Sequence, residues 1–378
     1  MTKSPVSVGA GRCHTGQYAE YSKPTLLEAR MIKYGKPSGP LLDHKEAFFE
    51  QNTAKLREML KIAELYRSQP RRTYCKNCQS PLPGPTFTKL GVDYAVCEIC
   101  GHLNGCHEDT PEFCAAVYTA DDGKGYAVNY AEADRLGYLA RVRDIYDPKA
   151  EFLAGALEDL GRPLNTMSVA DLGAGGGYFV AALKNFQVGS VIGYEVSESQ
   201  AKMGRAMLDD DSALVTHGLE DIVPIVSETT ADLVSMVGVL EHLEQPRNVL
   251  AALSANANVE YIFLSVPLFS PCVFMEMTTE GVFPRHLAGA HTHLYTKSSI
   301  AHFCREFGFT PAAQWWFGAD IVDLYRHMLV NLAASPQTAG VAGIFSEMIK
   351  PAIDDMQLAL DQRHLSSEVH MLLARTRS

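Results

Sequence analysis

Four cysteines set the first chemical constraint. Cys75-x2-Cys78 is followed, after 18 residues, by Cys97-x2-Cys100. Each pair places two thiolates on one tight turn, and two such turns complete a tetrahedron. This is the spacing of a zinc site whose four positions are all filled by protein, so the expected metal role is structural. Cys106, His107 and Cys114 lie just downstream as second-choice ligands. A redox role is less natural, because two motifs this close more readily share a metal.

The second cluster of chemistry is a glycine loop. In VADLGAGGGYFVAAL, residues 169–183, an apolar strand ends at Asp171-Leu172, Gly173, Gly175, Gly176 and Gly177 form a turn, and a helix follows. Glycines let the backbone turn tightly and approach a ligand closely. A dinucleotide fingerprint would need its third glycine at 178, where the chain has Tyr178. A carboxylate two residues before the first glycine suits a ligand with an ammonium group better than a pyrophosphate. The combination favours S-adenosylmethionine over NAD. Glu195 ends the next strand, 24 residues after Asp171, where a carboxylate can accept hydrogen bonds from both ribose hydroxyls. His217-Gly218-Leu219-Glu220-Asp221, after the third strand, is where an adenine would be held.

These segments, with Leu240-Glu241-His242-Leu243 after the fourth strand, resemble the class I S-adenosylmethionine-dependent methyltransferases over roughly residues 150–320. The resemblance implies that Asp171, Gly173 and Gly175 line the cofactor site and that Glu195 binds the ribose. Many relatives carry an Asp where this chain has Gly218, which shifts the contact with the adenine amino group to Glu220, Asp221 or the backbone, beside Leu219 as a further cofactor-site residue. A four-Cys module ahead of the catalytic domain is similar to bacterial sugar C-methyltransferases and to methyltransferases of polysaccharide pathways. In the former, a Glu-His pair at this point takes part in proton abstraction. The resemblance thus makes His242 the expected base, assisted by Glu241. His291, His293 and Tyr295 are rivals in the connection after the fifth strand, and the implied acceptor is a sugar or nucleotide-sugar. Trp315 and Trp316 read as core before they read as a stacking platform.

The elements that would carry these residues alternate strand and helix from Pro148 to about Asp320. That rhythm predicts a Rossmann-like α/β fold, a mostly parallel sheet with helices on both faces. The expected organisation is an N-terminal arm and helix (1–70), a zinc-binding module (71–110), a tyrosine-rich linker or possible lid (111–148), the catalytic domain (149–320) and a C-terminal helical extension (321–378). Thr296 should start a helix that Gly308 stops.

Composition narrows the partners. The chain has 378 residues, 47% of them hydrophobic, which excludes wholesale disorder. Its formal charge of −11 argues against a nucleic-acid acceptor, although Arg71, Arg72 and Lys76 leave room for a small basic patch and hence for an RNA methyltransferase. A non-catalytic protein that kept the fold is the other alternative. No apolar stretch is long enough to span a bilayer, and the first residues lack a signal-peptide core, so the cytoplasm is the expected compartment. Oligomeric state is not readable from the sequence.

Overall fold

A computed structural model describes residues 29–44, 47–119, 134–288 and 291–376. Twelve strands among these residues form two sheets. In chain order they are β1 (Met31–Tyr34), β2 (Phe87–Lys89), β3 (Val92–Val96), β4 (Leu103–Gly105), β5 (Ser168–Leu172), β6 (Ser190–Glu195), β7 (Leu214–Thr216), β8 (Leu233–Val237), β9 (Tyr261–Pro267), β10 (His293–Leu294), β11 (Phe309–Phe317) and β12 (Glu368–Arg375).

The larger sheet runs β1-β11-β12-β9-β8-β5-β6-β7. Every pairing is parallel except those of β12, which runs antiparallel to both β9 and β11. The central strands are short apolar runs, and all seven residues of β9 are buried, as a strand covered on both faces requires. The two faces carry separate cores. One gathers Met236, Leu264, Phe303 and Trp316; the other gathers Leu153, Phe179, Phe263 and Trp315. Both tryptophans are therefore core residues of β11.

The sheet order reverses between β5 and β8, and the two chain directions out of that point open a crevice at the carboxyl ends of the strands. Local signals fix the helices that border it. Ser197 caps the Glu198–Leu208 helix by accepting the Gln200 amide, and Thr296 caps Lys297–Phe307, which ends on Gly308 in the left-handed region.

The smaller sheet, β10-β4-β3-β2, belongs to the cysteine module, but its β10 edge comes from the long connection after β9. The module and the larger domain are thus joined through a shared sheet.

Two boundaries differ from the sequence reading. The C-terminal segment is helical only up to its last stretch, because β12 inserts into the middle of the large sheet. Its Val369–Leu373 run is buried on both sides, and a continuous apolar run carries no strand periodicity to distinguish it from a helix. The N-terminal arm contributes β1, which pairs with β11. Tyr126 and Tyr130 of the expected lid, and residues 1–28 of the arm, lie outside the described residues.

Candidate active site and metal centre

The glycine loop follows directly from β5. Gly173 has φ +63°, and a Cβ there would come within 2.5 Å of the Val239 side chain. The loop therefore presses against the end of β8, and only glycine fits. From the other side, a Cβ on Gly204 would meet the Gly176 backbone at 2.8 Å, so the Glu198–Leu208 helix packs onto the same turn. Tyr138 closes the loop by donating its hydroxyl to the Gly176 carbonyl at 3.0 Å, while its ring and that of Tyr146 stack on Tyr178.

Glu195, at the end of β6, is buried and accepts two backbone hydrogen bonds, from Gly175 N at 2.7 Å and Ser197 N at 2.8 Å. Each carboxylate oxygen keeps a further acceptor position. Burial nevertheless pushes its carboxyl up, against the pull of those amides. Asp171 is also buried and accepts the Ser235 hydroxyl at 2.6 Å; burial pushes its carboxyl up to about 7. A cradle that a Cβ would fill, flanked by two buried carboxylates, fits a cationic nucleoside such as S-adenosylmethionine. Leu219 is half-buried against the apolar cluster that holds Phe113 and Cys272. Glu220 is exposed, and its carboxylate lies 2.8 Å from where a Cβ on Gly218 would stand. Asp221 is occupied in the turn itself, where it accepts the Gly218 amide at 2.8 Å.

Glu241 and His242 form a short turn after β8. His242 Nε2 lies 3.9 Å from Glu241 Oε1, and its Nδ1 lies 2.9 Å from the Tyr118 hydroxyl. The His291 ring stacks on His242 with centroids 5.2 Å apart, and one ligand atom each from Glu241, His242 and His291 lies within 4.8 Å of the others. Burial sets the protonation of this group. It pushes His242 down to about 4 and His291 well down, so both imidazoles are neutral at pH 7. It pushes Glu241 up to about 8, and one of its oxygens is buried with no hydrogen-bond partner among the described residues.

The other two residues of the connection turn elsewhere. His293 is buried in β10, where it pairs with Asn104 of β4, and its Nδ1 lies 2.8 Å from His102 Nε2. Tyr295 packs edge-on against His102, His293 and Phe303. Their side chains fill the junction with the cysteine module instead of flanking His242. Sequence spacing could not separate them from His291, because the strand pairing that turns them away comes from a remote segment. His286, in the same connection, stands near His291. Its ring lies 6.0 Å from His291, and its Nδ1 contacts Glu276 at 3.2 Å.

In the cysteine module, Cys75 Sγ and Cys100 Sγ are 3.7 Å apart, Cys78 Sγ and Cys97 Sγ are 3.5 Å apart, and all four sulfurs lie within 4.8 Å of one another. Four ligands at about 2.3 Å from a tetrahedral zinc stand roughly 3.8 Å apart, so the donor set fits that ion. The Asn77 and Asn104 amides point at Cys100 and Cys75, each at 3.6 Å, as donors to thiolate sulfur do. Cys106 and Cys114 are buried outside this group.

Residues 140–314 match the family model described as a methyltransferase domain. No curated protein matches the chain significantly. Among solved structures, the magnesium protoporphyrin IX methyltransferase of Synechocystis PCC 6803 with bound SAH is 13% identical at TM-score 0.43, covering 69% of this chain and 99% of that one. A plantazolicin methyltransferase in complex with a desmethyl analogue and SAH is 12% identical at TM-score 0.43, covering 70% and 94%. A SAM-dependent methyltransferase from Archaeoglobus fulgidus is 14% identical at TM-score 0.37, covering 60% and 94%. Likenesses at this level carry no argument about the acceptor. The domain match stands with the parallel sheet and its glycine turn: residues 140–314 match a methyltransferase domain and lie on the sheet that such a domain needs. Among the described residues, no helix is long and apolar enough to cross a membrane.

Proposed function

We propose that this chain transfers a methyl group to a small polar acceptor, a sugar or nucleotide-sugar, with His242 taking the acceptor proton. When bound, S-adenosylmethionine supplies an electrophilic methyl group. Glu195, Asp171, Gly173 and Gly175 would hold it, with Leu219 and Glu220 at its adenine end. The observation that carries the reading is the grouping of His291, from the connection after β9, with Glu241 and His242, which follow β8 beside a glycine turn that touches Val239.

A neutral imidazole is the form that accepts a proton, and burial keeps His242 in it. With Nδ1–H donating to the Tyr118 oxygen, Nε2 carries the lone pair on the side of Glu241. Glu241 orients that nitrogen and, protonated at neutral pH, adds no charge to repel an anionic acceptor. His291 flanks the imidazole and limits its rotation. The four cysteines would hold a structural zinc.

A small acceptor is favoured over RNA by the state of the module's cations. Lys76 is buried and paired with Asp109, Arg72 pairs with Glu108 and Asp109, and Arg71 pairs with Asp93 at 2.9 Å. Neutralised cations release no counterions on binding a phosphate backbone. The test is methyl transfer from labelled donor to a panel of nucleotide-sugars, with structured RNA in parallel. Labelled sugar is expected. Labelled RNA, or failure of the chain to bind the donor at all, would overturn the reading.

A further inference from the structure

Three lysines gather at the same carboxyl edge of the sheet, on the side away from β6 and β7. Lys33 is in β1, Lys36 follows it, and Lys149 is in the first turns of the Asp147–Glu158 helix. The Lys33 ammonium lies 4.0 Å from the centre of the Trp315 ring, and that of Lys36 lies 5.2 Å from the centre of Phe317. These rings are neighbours on β11, 4.7 Å apart. Aromatic faces hold both ammonium groups in place without neutralising them.

Lys149 is 7% exposed. Among the described residues its ammonium makes no hydrogen bond or ion pair, only a contact with the face of Tyr146 at 5.0 Å. An ammonium taken out of water without acceptors is costly. Its surroundings offset that cost weakly. Glu368 attracts it at longer range, as Asp171 and Glu241 do only in their ionised forms, while Arg141 and Lys36 repel it. Glu368 is the carboxylate common to Lys36 and Lys149, and it already accepts the Ser265 hydroxyl at 2.8 Å. His370, enclosed between Trp315 and Phe317, is fully buried and kept neutral, so it offers no anion.

The group is contiguous with the site. Lys149 lies within electrostatic reach of Glu241 and Asp171 as well as of Lys36 and Glu368. Ligands of open α/β sheets lie outside these strand ends. An acceptor beside Glu241 would extend across β9, β12 and β11 toward the lysines.

We propose that Lys33, Lys36 and Lys149 form an oxyanion subsite that receives a phosphate or carboxylate group of the methyl acceptor. The oxygens of such a group supply the charge-assisted hydrogen bonds that Lys149 lacks among the described residues. The inference rests on the proposed function for the position of the transferred methyl group. It adds the chemical class that the acceptor must carry.

The test is titration calorimetry on the full chain saturated with S-adenosylhomocysteine, using inorganic pyrophosphate in one arm and malonate in the other. One anion should bind each chain at a single site. Lys36→Gln and Lys149→Met should each weaken it at least tenfold, with affinity for S-adenosylhomocysteine held within twofold. Preference for pyrophosphate identifies a phosphorylated acceptor, and preference for malonate a carboxylate-bearing one. Lys36 is half-buried at the rim, so Lys36→Gln decides the matter if Lys149→Met does not fold. Absence of binding by the unaltered chain, or anion affinity unchanged in the folded variants, overturns the subsite. If S-adenosylhomocysteine itself does not bind, the proposed function fails instead, and the anion arms run without it still decide the subsite.

Discussion

His102 and His293 meet across the junction of the two modules, with His102 Nε2 2.8 Å from His293 Nδ1. Burial pushes His102 down to about 3 and His293 well down, so one neutral ring donates and the other accepts. His102 stands two residues after Cys100 and gives its carbonyl to the Cys97 amide at 2.9 Å. His293 stands two residues after His291. Around this bond, Ser298 Oγ donates to the Cys100 carbonyl at 3.0 Å, and the Asn77 amide donates to the Ser299 carbonyl at 3.0 Å. The sulfur turns therefore template the connection that carries His291.

A metal-dependent prediction follows from this linkage. Elemental analysis of the purified chain should find one zinc per molecule, and Cys97→Ser should remove it and lower the Tm, because binding of a structural metal contributes directly to folding. Hydrogen exchange should accelerate in residues 291–296 and stay slow in β5 and β6. Affinity for S-adenosylmethionine should change by less than about threefold, since the glycine loop makes its contacts within the large domain. A zinc-free chain with slow exchange at 291–296 would show that the cysteines pack without metal.

Glu195 gives a prediction about the cofactor. Its carboxylate would accept ribose hydroxyls while holding Gly175 and Ser197 in place. Hydrogen bonds to a charged group are worth about 1.5–3 kcal/mol, so Glu195→Ala should weaken S-adenosylmethionine at least tenfold by calorimetry. Tighter binding of NAD than of S-adenosylmethionine by the unaltered chain would refute the assignment.

Legibility in the sequence followed locality. The glycine turn, Glu195, the cysteine knuckles and the Thr296–Gly308 helix are written in residues close together, and each one's local chemistry dictates its geometry. The partners of the candidate base are not. Tyr118 reaches His242 across 124 positions, and His102 reaches His293 across 191. No local pattern encodes such contacts. β12 escaped for a different reason: burial on both faces erased the alternation that would have marked it as a strand. Lys149 escaped because a lysine in an amphipathic helix is usually solvated, and only the fold shows it enclosed.

His242 yields a pH prediction. An unperturbed imidazole would lose its base form below about 6.5. Burial lowers this one to about 4, so the acid limb of the turnover profile assigned to His242 should lie near pH 4. His242→Ala should reduce turnover by about 10²–10⁴-fold while cofactor affinity is kept. Tyr118→Phe should cost less and should shift the acid limb, because it removes the group at Nδ1. A profile falling near 6.5 would refute the assignment of the limb to buried His242, and turnover that survives His242→Ala and collapses in His291→Ala would move the base to His291.

Glu241 yields the converse prediction, on stability. Its carboxyl is raised from 4.5 to about 8 by burial, and one oxygen has no hydrogen-bond partner among the described residues. The folded chain therefore holds a proton that the unfolded chain releases above about pH 4.5. Stability from this group is fully present below that pH and is lost as pH rises toward 8, at up to roughly 1.4 kcal/mol per pH unit. Glu241→Gln abolishes the titration while keeping the shape. Denaturant unfolding of the two chains should give similar stabilities near pH 4.5, with the variant gaining on the unaltered chain at each step to pH 8. A bound cation, or an acceptor that donates to Glu241, would flatten the difference. Measurement without ligands and with chelator-treated buffer isolates the carboxyl itself. Parallel stability curves over the whole range would mean that Glu241 is ionised in the folded chain, and its assisting role would then be that of a carboxylate beside the His242 imidazole.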